Sequence, residues 1–565
     1  MDGSQTARRE RAVAFVVARL SSSRLARKHF LPIGGKRLIQ WITDALRQSR
    51  ELDEIVIATA DEPDNLPLRQ FAAEQGLGCF WYEGNVDHVT HRLRSAAEKH
   101  GADICVLISG DWPLTDASML DRLIVRLREY PDADMVVPSA PPAGLHSLLE
   151  MPIVNRKRAW QRGDDLSDRP ELKEHQFPVF WSRPDLFPRV ACELPDAFFG
   201  PPCRLSVDTW ADVELMRTLH DLLAEQGQPF ALPQVLRALR EHPQLAQINA
   251  HTHQRKLAEE SRKVLVVADA GEPYGYGHFM RSRELGLQVV ERTGWPVTFA
   301  LDDERAAAMV EERGLRVLWG ALERQSRPST TRSASAIPAL CSGYDVVVLD
   351  LFGGRELPAG WRASLPSRPA VVVLDRSAPW TAEADLVVIP GETWSERECR
   401  GRAEVLFGRE YVILRREIRN RRFQQTTKDL DVLAYLHEPE QRDAVQGFLD
   451  RSGLSGRVLG SFDPDFASWL ARSRVFLSGF GIGCYEALFL GTYPAVWPFS
   501  LAHGQDARLF YERVGLPATL IAGPEDLPRL IPLCSSLPEI PPLGDGTPRI
   551  IDAMVQTLLR KRAES

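Results

Sequence analysis

No stretch of this 565-residue chain approaches the ~18–20 uninterrupted apolar residues that a membrane-spanning helix needs. The N-terminus, Met1 to Arg11, is polar and charged and lacks the apolar segment of a secretory signal. These two absences set the expectation of a soluble, cytoplasmic protein with no membrane span. The 8 cysteines are scattered, with no CxxC pair, which excludes a zinc knuckle or a dithiol redox motif. Several lie inside apolar runs, as buried thiols do. Excess charge is also missing: 69 Lys and Arg against 76 Asp and Glu leave a net charge of -7. The cations sit in loops without interleaved aromatics, so a nucleic-acid partner is not expected. No short-period repeat is present.

What is there is an ordinary globular composition, 44% hydrophobic and 26% charged, in a chain long enough for roughly two to four domains. Short apolar runs alternate with helical patterns. Strands are expected at Val13–Ala18, Glu54–Ala60, Cys79–Tyr82 and Ile104–Ser109. Helices are expected at Arg37–Gln48, Leu66–Gln75, His88–His100 and Ser118–Glu129. That rhythm predicts a parallel sheet covered on both faces. Met151 to Pro202 is irregular and reads as an inserted substrate or dimerisation arm. A strand at Arg204–Val207 and helices at Trp210–Glu225 and Leu232–His242 follow.

A polar segment from His251 to Arg262 ends abruptly at the apolar run Val264–Ala268, where the rhythm restarts. The expected organisation is a first domain over 1–255, a linker over 256–262, a first lobe over 263–425 and a second lobe over 426–565. Arg324–Ser335, rich in Ser, Thr and Arg, reads as a loop.

Three segments of the first domain fall at the ends of strands, where open α/β sheets collect ligands. The first is the basic loop Ala18-Arg19-Leu20-Ser21-Ser22-Ser23-Arg24-Leu25-Ala26-Arg27-Lys28. Its small residues let backbone N–H groups approach a polyphosphate, and its cations neutralise charge. The second is Ser109-Gly110-Asp111-Trp112-Pro113-Leu114, and the third is Val207-Asp208-Thr209-Trp210. Asp111 and Asp208 are far apart in sequence but suit one edge of the sheet. A pair of carboxylates facing a basic loop fits a hard cation such as Mg2+, whose shell is completed by phosphate and water. A bland alternative makes Asp208 a helix cap.

These segments resemble the sugar-acid cytidylyltransferases, in particular the spore-coat and nonulosonic-acid branch. The resemblance runs over most of 11–255 and takes in Leu31–Ile39, Glu83–Val89 with Arg92, Glu174-His175 and Leu232–Asn249. It implies a nucleotide-diphospho-sugar transferase fold, Rossmann-like. It also implies CTP and a sugar acid as substrates, and a homodimer. By motif, Arg19, Ser22, Arg24 and Lys28 would bind the nucleotide, Asp111 and Asp208 would hold Mg2+, and Asp111 would be catalytic. The family pattern is broken at Ser23, Ala26 and Arg27, where Thr, Pro and Gly are usual, and at Trp112.

Downstream, Gly275-Tyr276-Gly277-His278 with Arg281 joins a strand to a helix start, an arrangement suited to anions. Ser478-Gly479-Phe480-Gly481-Ile482-Gly483-Cys484-Tyr485-Glu486, followed by Gln505, repeats the arrangement. Glu486 is placed to accept from ribose hydroxyls. The pair resembles the two-lobed glycosyltransferase-B fold, and more narrowly the UDP-sugar hydrolases of pseudaminic acid synthesis. That resemblance covers 263 to about 520, including Leu406–Arg415. It implies a UDP-sugar substrate, His278 as the catalytic residue, and Gly277, Gly481, Gly483, Glu486 and Gln505 at the nucleotide. The family's glycines at the start of the second lobe are absent from Val432–Glu440. The expected function is a bifunctional nucleotide-sugar enzyme of surface polysaccharide synthesis. The alternatives make the second module a glycosyltransferase or an inactive nucleotide-sugar-binding module.

Overall fold

The structure is a computed structural model. It describes residues 8–22, 24–148, 150–253, 261–271, 276–319, 337–351, 357, 360–365, 368–375, 379–392, 403–423, 426–461, 463 and 465–564. Ser23, Gly275, most of the expected linker and the Arg324–Ser335 loop lie outside the described residues. The chain divides into two compact units. The first is Met1–Glu260 with Glu291–Gly294, and the second is Ser261–Val290 with Trp295–Ser565.

The first unit is built on a seven-stranded sheet. Its order is Gly78–Tyr82, Glu54–Ala60, Ala12–Val17, Ile104–Ser109, Ile153–Arg156, Met135–Pro138, Arg189–Cys192. The first four strands are parallel, as their unbroken apolar runs predict. Val13 pairs with Glu54 on one side and with Cys105 on the other. The sheet is mixed rather than wholly parallel, because Ile153–Arg156 runs antiparallel to both its neighbours.

The segment read as an inserted arm is therefore partly sheet and core. It supplies two strands, the helix Lys157–Asp165 and a run of packed rings. Phe15 meets Trp160 at 5.3 Å, Trp160 meets Phe177 at 5.4 Å, and Phe177 stacks on Phe180 at 4.9 Å. Its strands are only four residues long, too short for a periodic signal to stand out. Arg204–Val207 is not a strand. It runs as open chain, tied to the sheet edge by the Val207 N–H donating to the Asp111 carbonyl at 2.8 Å.

The second unit holds two parallel sheets. One has seven strands in the order Arg316–Trp319, Val297–Leu301, Val264–Ala268, Val346–Asp350, Ala370–Leu374, Leu386–Pro390, Glu404–Gly408. The other has four, in the order Gly456–Leu459, Leu430–Tyr435, Ser473–Ser478, Tyr493–Val496. The edge strands Arg316–Trp319, Glu404–Gly408 and Gly456–Leu459 carry exposed polar positions, as edges do, and are weak signals in sequence. The last helix, Thr547–Glu564, packs on Ala370–Leu374 and Leu386–Pro390 of the seven-stranded sheet, although its chain position groups it with the second lobe. Among the described residues no helix is long and apolar enough to cross a membrane.

Close packing at the first sheet's edge yields a direct test. The Gly110 N–H donates to the Val17 carbonyl at 2.9 Å. A β-carbon on Gly110 would stand 2.5 Å from that same oxygen, which is backbone and cannot swing aside. Gly110→Ala is expected to destabilise the first unit by about 1–3 kcal/mol, the usual cost of overpacking. Thermal denaturation checks this, and an unchanged transition would contradict the packing described.

Candidate functional site

The basic loop leaves the strand Ala12–Val17 and folds back on itself. Leu20 and Leu25 are buried and act as its anchors. The Leu20 N–H donates to Asn65 Oδ1 at 2.8 Å, and the Arg27 N–H returns to the Leu20 carbonyl at 3.2 Å. Ser22 Oγ accepts from the Leu25 N–H at 3.3 Å. With both leucines inward, Arg24 between them is turned toward Asp208. Arg27 sits at φ 53, a left-handed conformation that explains why glycine is usual at this position.

Two carboxylates converge on one cation. Lys28 Nζ lies 2.6 Å from Asp111 Oδ2 and 2.6 Å from Asp208 Oδ1. Arg24 reaches Asp208 Oδ1 at 3.1 Å, and Arg204 reaches Asp208 Oδ2 at 2.5 Å. Ser109 Oγ donates to Asp111 Oδ1 at 2.6 Å. Burial opposes the Lys28 charge, but Asp111 and Asp208 outweigh it and hold the ammonium above its ordinary range. Burial likewise works against ionised Asp208, and Lys28, Arg24 and Arg204 overcome it, keeping that carboxyl well below the usual range.

Asp208 is not the cap of the helix that follows. Thr209 is the N-cap of Trp210–Glu225 and forms a capping box with Asp212. Asp212 Oδ2 accepts from the Thr209 N–H at 2.8 Å and from the Asp208 N–H at 2.9 Å. Asn249 donates to Asp212 Oδ1 at 2.8 Å. Asp212 thus does the capping, and the Asp208 side chain is released toward Lys28.

The structure brings Arg24, Lys28, Asp111 and Asp208 together. Arg19 stands apart from the aspartates, 3.7 Å from Asp87 and partly exposed. Sequence reasoning missed Arg204, whose signal was only an arginine four residues before an aspartate. It also gave no role to His29. That ring is buried, with Nδ1 2.7 Å from the Gly110 carbonyl and Nε2 3.1 Å from the Arg19 carbonyl. It joins the basic loop to the Asp111 loop. Arg92 is almost wholly buried, and its Nε and Nη1 have no hydrogen-bond partner among the described residues. Burial and the Arg19 charge push it down to about 10. Unpaired cationic N–H groups beside a second arginine make an anion-attracting corner next to the loop.

Among the described residues no group of three or more His, Cys, Asp and Glu could hold a metal ion. The donor set suits Mg2+, which is satisfied by one or two protein carboxylates when phosphate and water complete its shell. The convergence of Asp111 and Asp208 on one point is the observation that supports this fit.

In the second unit, His278 and Arg281 open the helix Gly277–Thr293 and meet the end of the strand Val346–Asp350. His278 Nδ1 is 2.8 Å from Asp350 Oδ1. Arg281 grips both Asp350 oxygens, at 2.9 Å through Nε and 2.6 Å through Nη2, and also bonds Asp375. Ser282 Oγ donates to Asp350 Oδ2 at 2.6 Å. Asp350 is fully buried, yet Arg281 and His278 overcome burial and hold it well below the carboxylate range.

Glu486 is fully buried and gives both oxygens to Arg415, at 2.6 and 2.5 Å. This pair ties the helix Ile482–Phe489, which carries Glu486, to the segment that holds Arg415. Gly481 precedes the helix Ile482–Phe489 in extended backbone. Gly483 packs on Phe476, 3.0 Å from where its β-carbon would stand. Gly277 is exposed at its helix start, and Gln505 is exposed on the helix Leu501–Val514.

Residues 13–162 match the family model described as cytidylyltransferase. The chain is 26% identical over 250 residues to the uncharacterized protein MJ1063 of Methanocaldococcus jannaschii, covering 44% of this chain and 98% of that one. It is 27% identical over 219 residues to the spore coat polysaccharide biosynthesis protein SpsF of Bacillus subtilis, covering 38% of this chain and 88% of that one. It is 30% identical over 141 residues to a 3-deoxy-manno-octulosonate cytidylyltransferase of Geobacter sulfurreducens, covering 25% of this chain and 55% of that one.

His29 generates a pH prediction. Burial and the Lys28 charge push its folded value down to about 4, against 6.5 for the free side chain. The unfolded state therefore binds the extra proton between those values, and stability falls as pH drops through that window. The total loss is about 3 kcal/mol, from about 1.4 kcal/mol per unit. Urea denaturation of the first unit between pH 7 and pH 4 measures the slope. In His29→Gln that part of the slope should vanish; an equal slope in both proteins would assign it to other groups.

Proposed function

Starting from a first unit whose residues 13–162 match the cytidylyltransferase family, we propose that it transfers CMP from CTP to a sugar acid for polysaccharide synthesis. The observation that carries this reading is the meeting of Asp111 and Asp208 with Lys28 and Arg24 at the C-terminal edge of the sheet. The relatives named for sugar-acid cytidylyl transfer and spore-coat polysaccharide synthesis support the substrate class.

The reaction forms a bond between an acceptor hydroxyl oxygen and the α-phosphorus, releases the hydroxyl proton to water, and breaks the α–β bridge, releasing pyrophosphate. The residues work by positioning and charge. Arg24 and Lys28 face the leaving phosphates, and Arg19 adds a cation at the loop entrance. Ser22 and the buried Leu20 and Leu25 hold the backbone N–H groups of the loop in place. Neutral His29 keeps the loop against Asp111 without adding charge. Asp111 and Asp208 would hold Mg2+, which would supply neutralisation of negative charge on the phosphates.

The second unit is read as a two-lobed, glycosyltransferase-B-like module that cleaves a UDP-linked amino sugar with water. Its two parallel sheets support that architecture, and the His278–Asp350 contact supports acid–base chemistry at a helix start. Because Glu486 is committed to Arg415, nucleotide recognition there falls to the backbone at Gly479–Gly481 and to Gln505.

The test is pyrophosphate release with CTP, Mg2+ and a panel of sugar acids. Asp111→Asn and Asp208→Asn are each expected to lower kcat by about 10²–10³, the range for losing a charge-stabilising group. CTP-dependent release that survives both substitutions, or no release with any acceptor, would contradict the first half of the proposal. For the second unit, UDP release from UDP-N-acetylhexosamines in water alone is expected, with at least about a hundred-fold loss in His278→Asn. UDP release that requires an added acceptor would make this unit a glycosyltransferase instead.

A further inference from the structure

Every carboxylate oxygen of Asp111 and Asp208 already has a donor from the protein. Asp111 Oδ1 accepts from Ser109 Oγ at 2.6 Å, and Asp111 Oδ2 accepts from Lys28 at 2.6 Å. Asp208 Oδ1 accepts from Lys28 at 2.6 Å and faces Arg24 at 3.1 Å, and Asp208 Oδ2 accepts from Arg204 at 2.5 Å. Among the described residues Lys28 is the one cation that touches both aspartates, and it occupies the point at which their side chains converge.

We propose that the Lys28 ammonium is the resident cation of the two-aspartate site, and that a divalent ion gains both carboxylates only by displacing it. This rests on the cytidylyltransferase reading and deepens it, because it makes entry of the metal depend on the nucleotide.

An ammonium nitrogen sits 2.6 Å from each oxygen, whereas Mg2+ binds oxygen at about 2.0–2.1 Å. An ion at that point must draw the two oxygens inward, and the ammonium cannot remain between them. A second positive centre beside Lys28 is repelled across a partly buried site that screens poorly. Lys28 is suited to leave: its charge is carried on a flexible four-carbon stem. It departs at low cost only if another anion receives it. The triphosphate of the nucleotide offers that anion, and Arg24 and Lys28 belong to the loop that would face it. Arg204 and Arg24 stay on Asp208 and hold its orientation while Lys28 moves. Metal binding and delivery of Lys28 to the phosphates are then two sides of one exchange. The site stays neutralised in the absence of substrate, and a divalent ion alone gains little there.

The test uses the full-length protein without nucleotide and Mn2+ as the probe, with free Mn2+ read by electron paramagnetic resonance. Lys28→Met removes the ammonium at similar length. Its affinity for Mn2+ is expected to exceed that of the wild type by at least about ten-fold, because the carboxylates lose their internal partner. Lys28→Gln, whose amide still donates to one carboxylate, is the second variant and is expected to fall between the two. It also serves if two facing carboxylates prevent Lys28→Met from folding. Mn2+ affinity in either folded variant that equals or falls below the wild-type value overturns the proposal. CTP binding, measured in parallel by calorimetry, separates the two claims. Tight CTP binding by the wild type with unchanged Mn2+ affinity in the variants sinks the displacement and leaves the nucleotide reading standing. Raised Mn2+ affinity in the variants without CTP binding by the wild type does the reverse.

Discussion

One ammonium group joins three loops that the chain keeps far apart. Lys28 follows the first strand of the sheet, Asp111 follows the strand Ile104–Ser109, and Asp208 precedes the helix Trp210–Glu225. Burying these charges is tolerable only while they neutralise one another, and stripping one partner from such a pair costs about 3–5 kcal/mol. The arrangement is therefore enforced by electrostatics as well as by packing. Neighbouring residues serve it. Asp212 takes over the capping of the helix and frees Asp208, while His29, neutral and buried, bonds the basic loop to the Asp111 loop. Gly110 lets the Asp111 loop lie directly against the first strand.

Much of this was legible in the sequence because the physics is local. Unbroken apolar runs such as Ala12–Val17 and Ile104–Ser109 mark fully buried parallel strands, and the three charged segments come directly after strands or before a helix. What escaped was whatever depends on distant partners. Ile153–Arg156 and Arg189–Cys192 are too short to show a period, and their place in the sheet is decided by neighbours many residues away. Arg204–Val207 is apolar enough at its end to read as a strand, but among the described residues it joins no sheet, and its Val207 N–H donates instead to the Asp111 carbonyl. The separate fates of Asp208 and Asp212 turn on a capping box that only the folded helix start reveals.

In the second unit, too, partners distant in the chain decide what a charged side chain meets. Glu486 stands in a glycine-rich loop before a helix, where a carboxylate reads naturally as a ligand contact. Its partner, Arg415, comes from far away in the chain and takes both oxygens in a buried, bidentate pair. Arg415 also lies 4.9 Å from the Phe466 ring centroid, so the clamp is braced from a second side. His278 and Arg281, in contrast, converge on Asp350 at the end of a strand, a partner that the sequence pattern did not reveal. The distinction between a carboxylate that fastens and one that orients a histidine is made by its partners.

The most direct measurement is 15N nuclear magnetic resonance of the lysine ammonium groups in the ligand-free protein. An ammonium held between two buried carboxylates exchanges slowly with water. The account predicts one exchange-protected ammonium resonance that is absent in Lys28→Gln and lost or strongly broadened in Asp208→Asn. A spectrum in which no protected resonance depends on Lys28, or in which it persists unchanged without the Asp208 carboxylate, would contradict it.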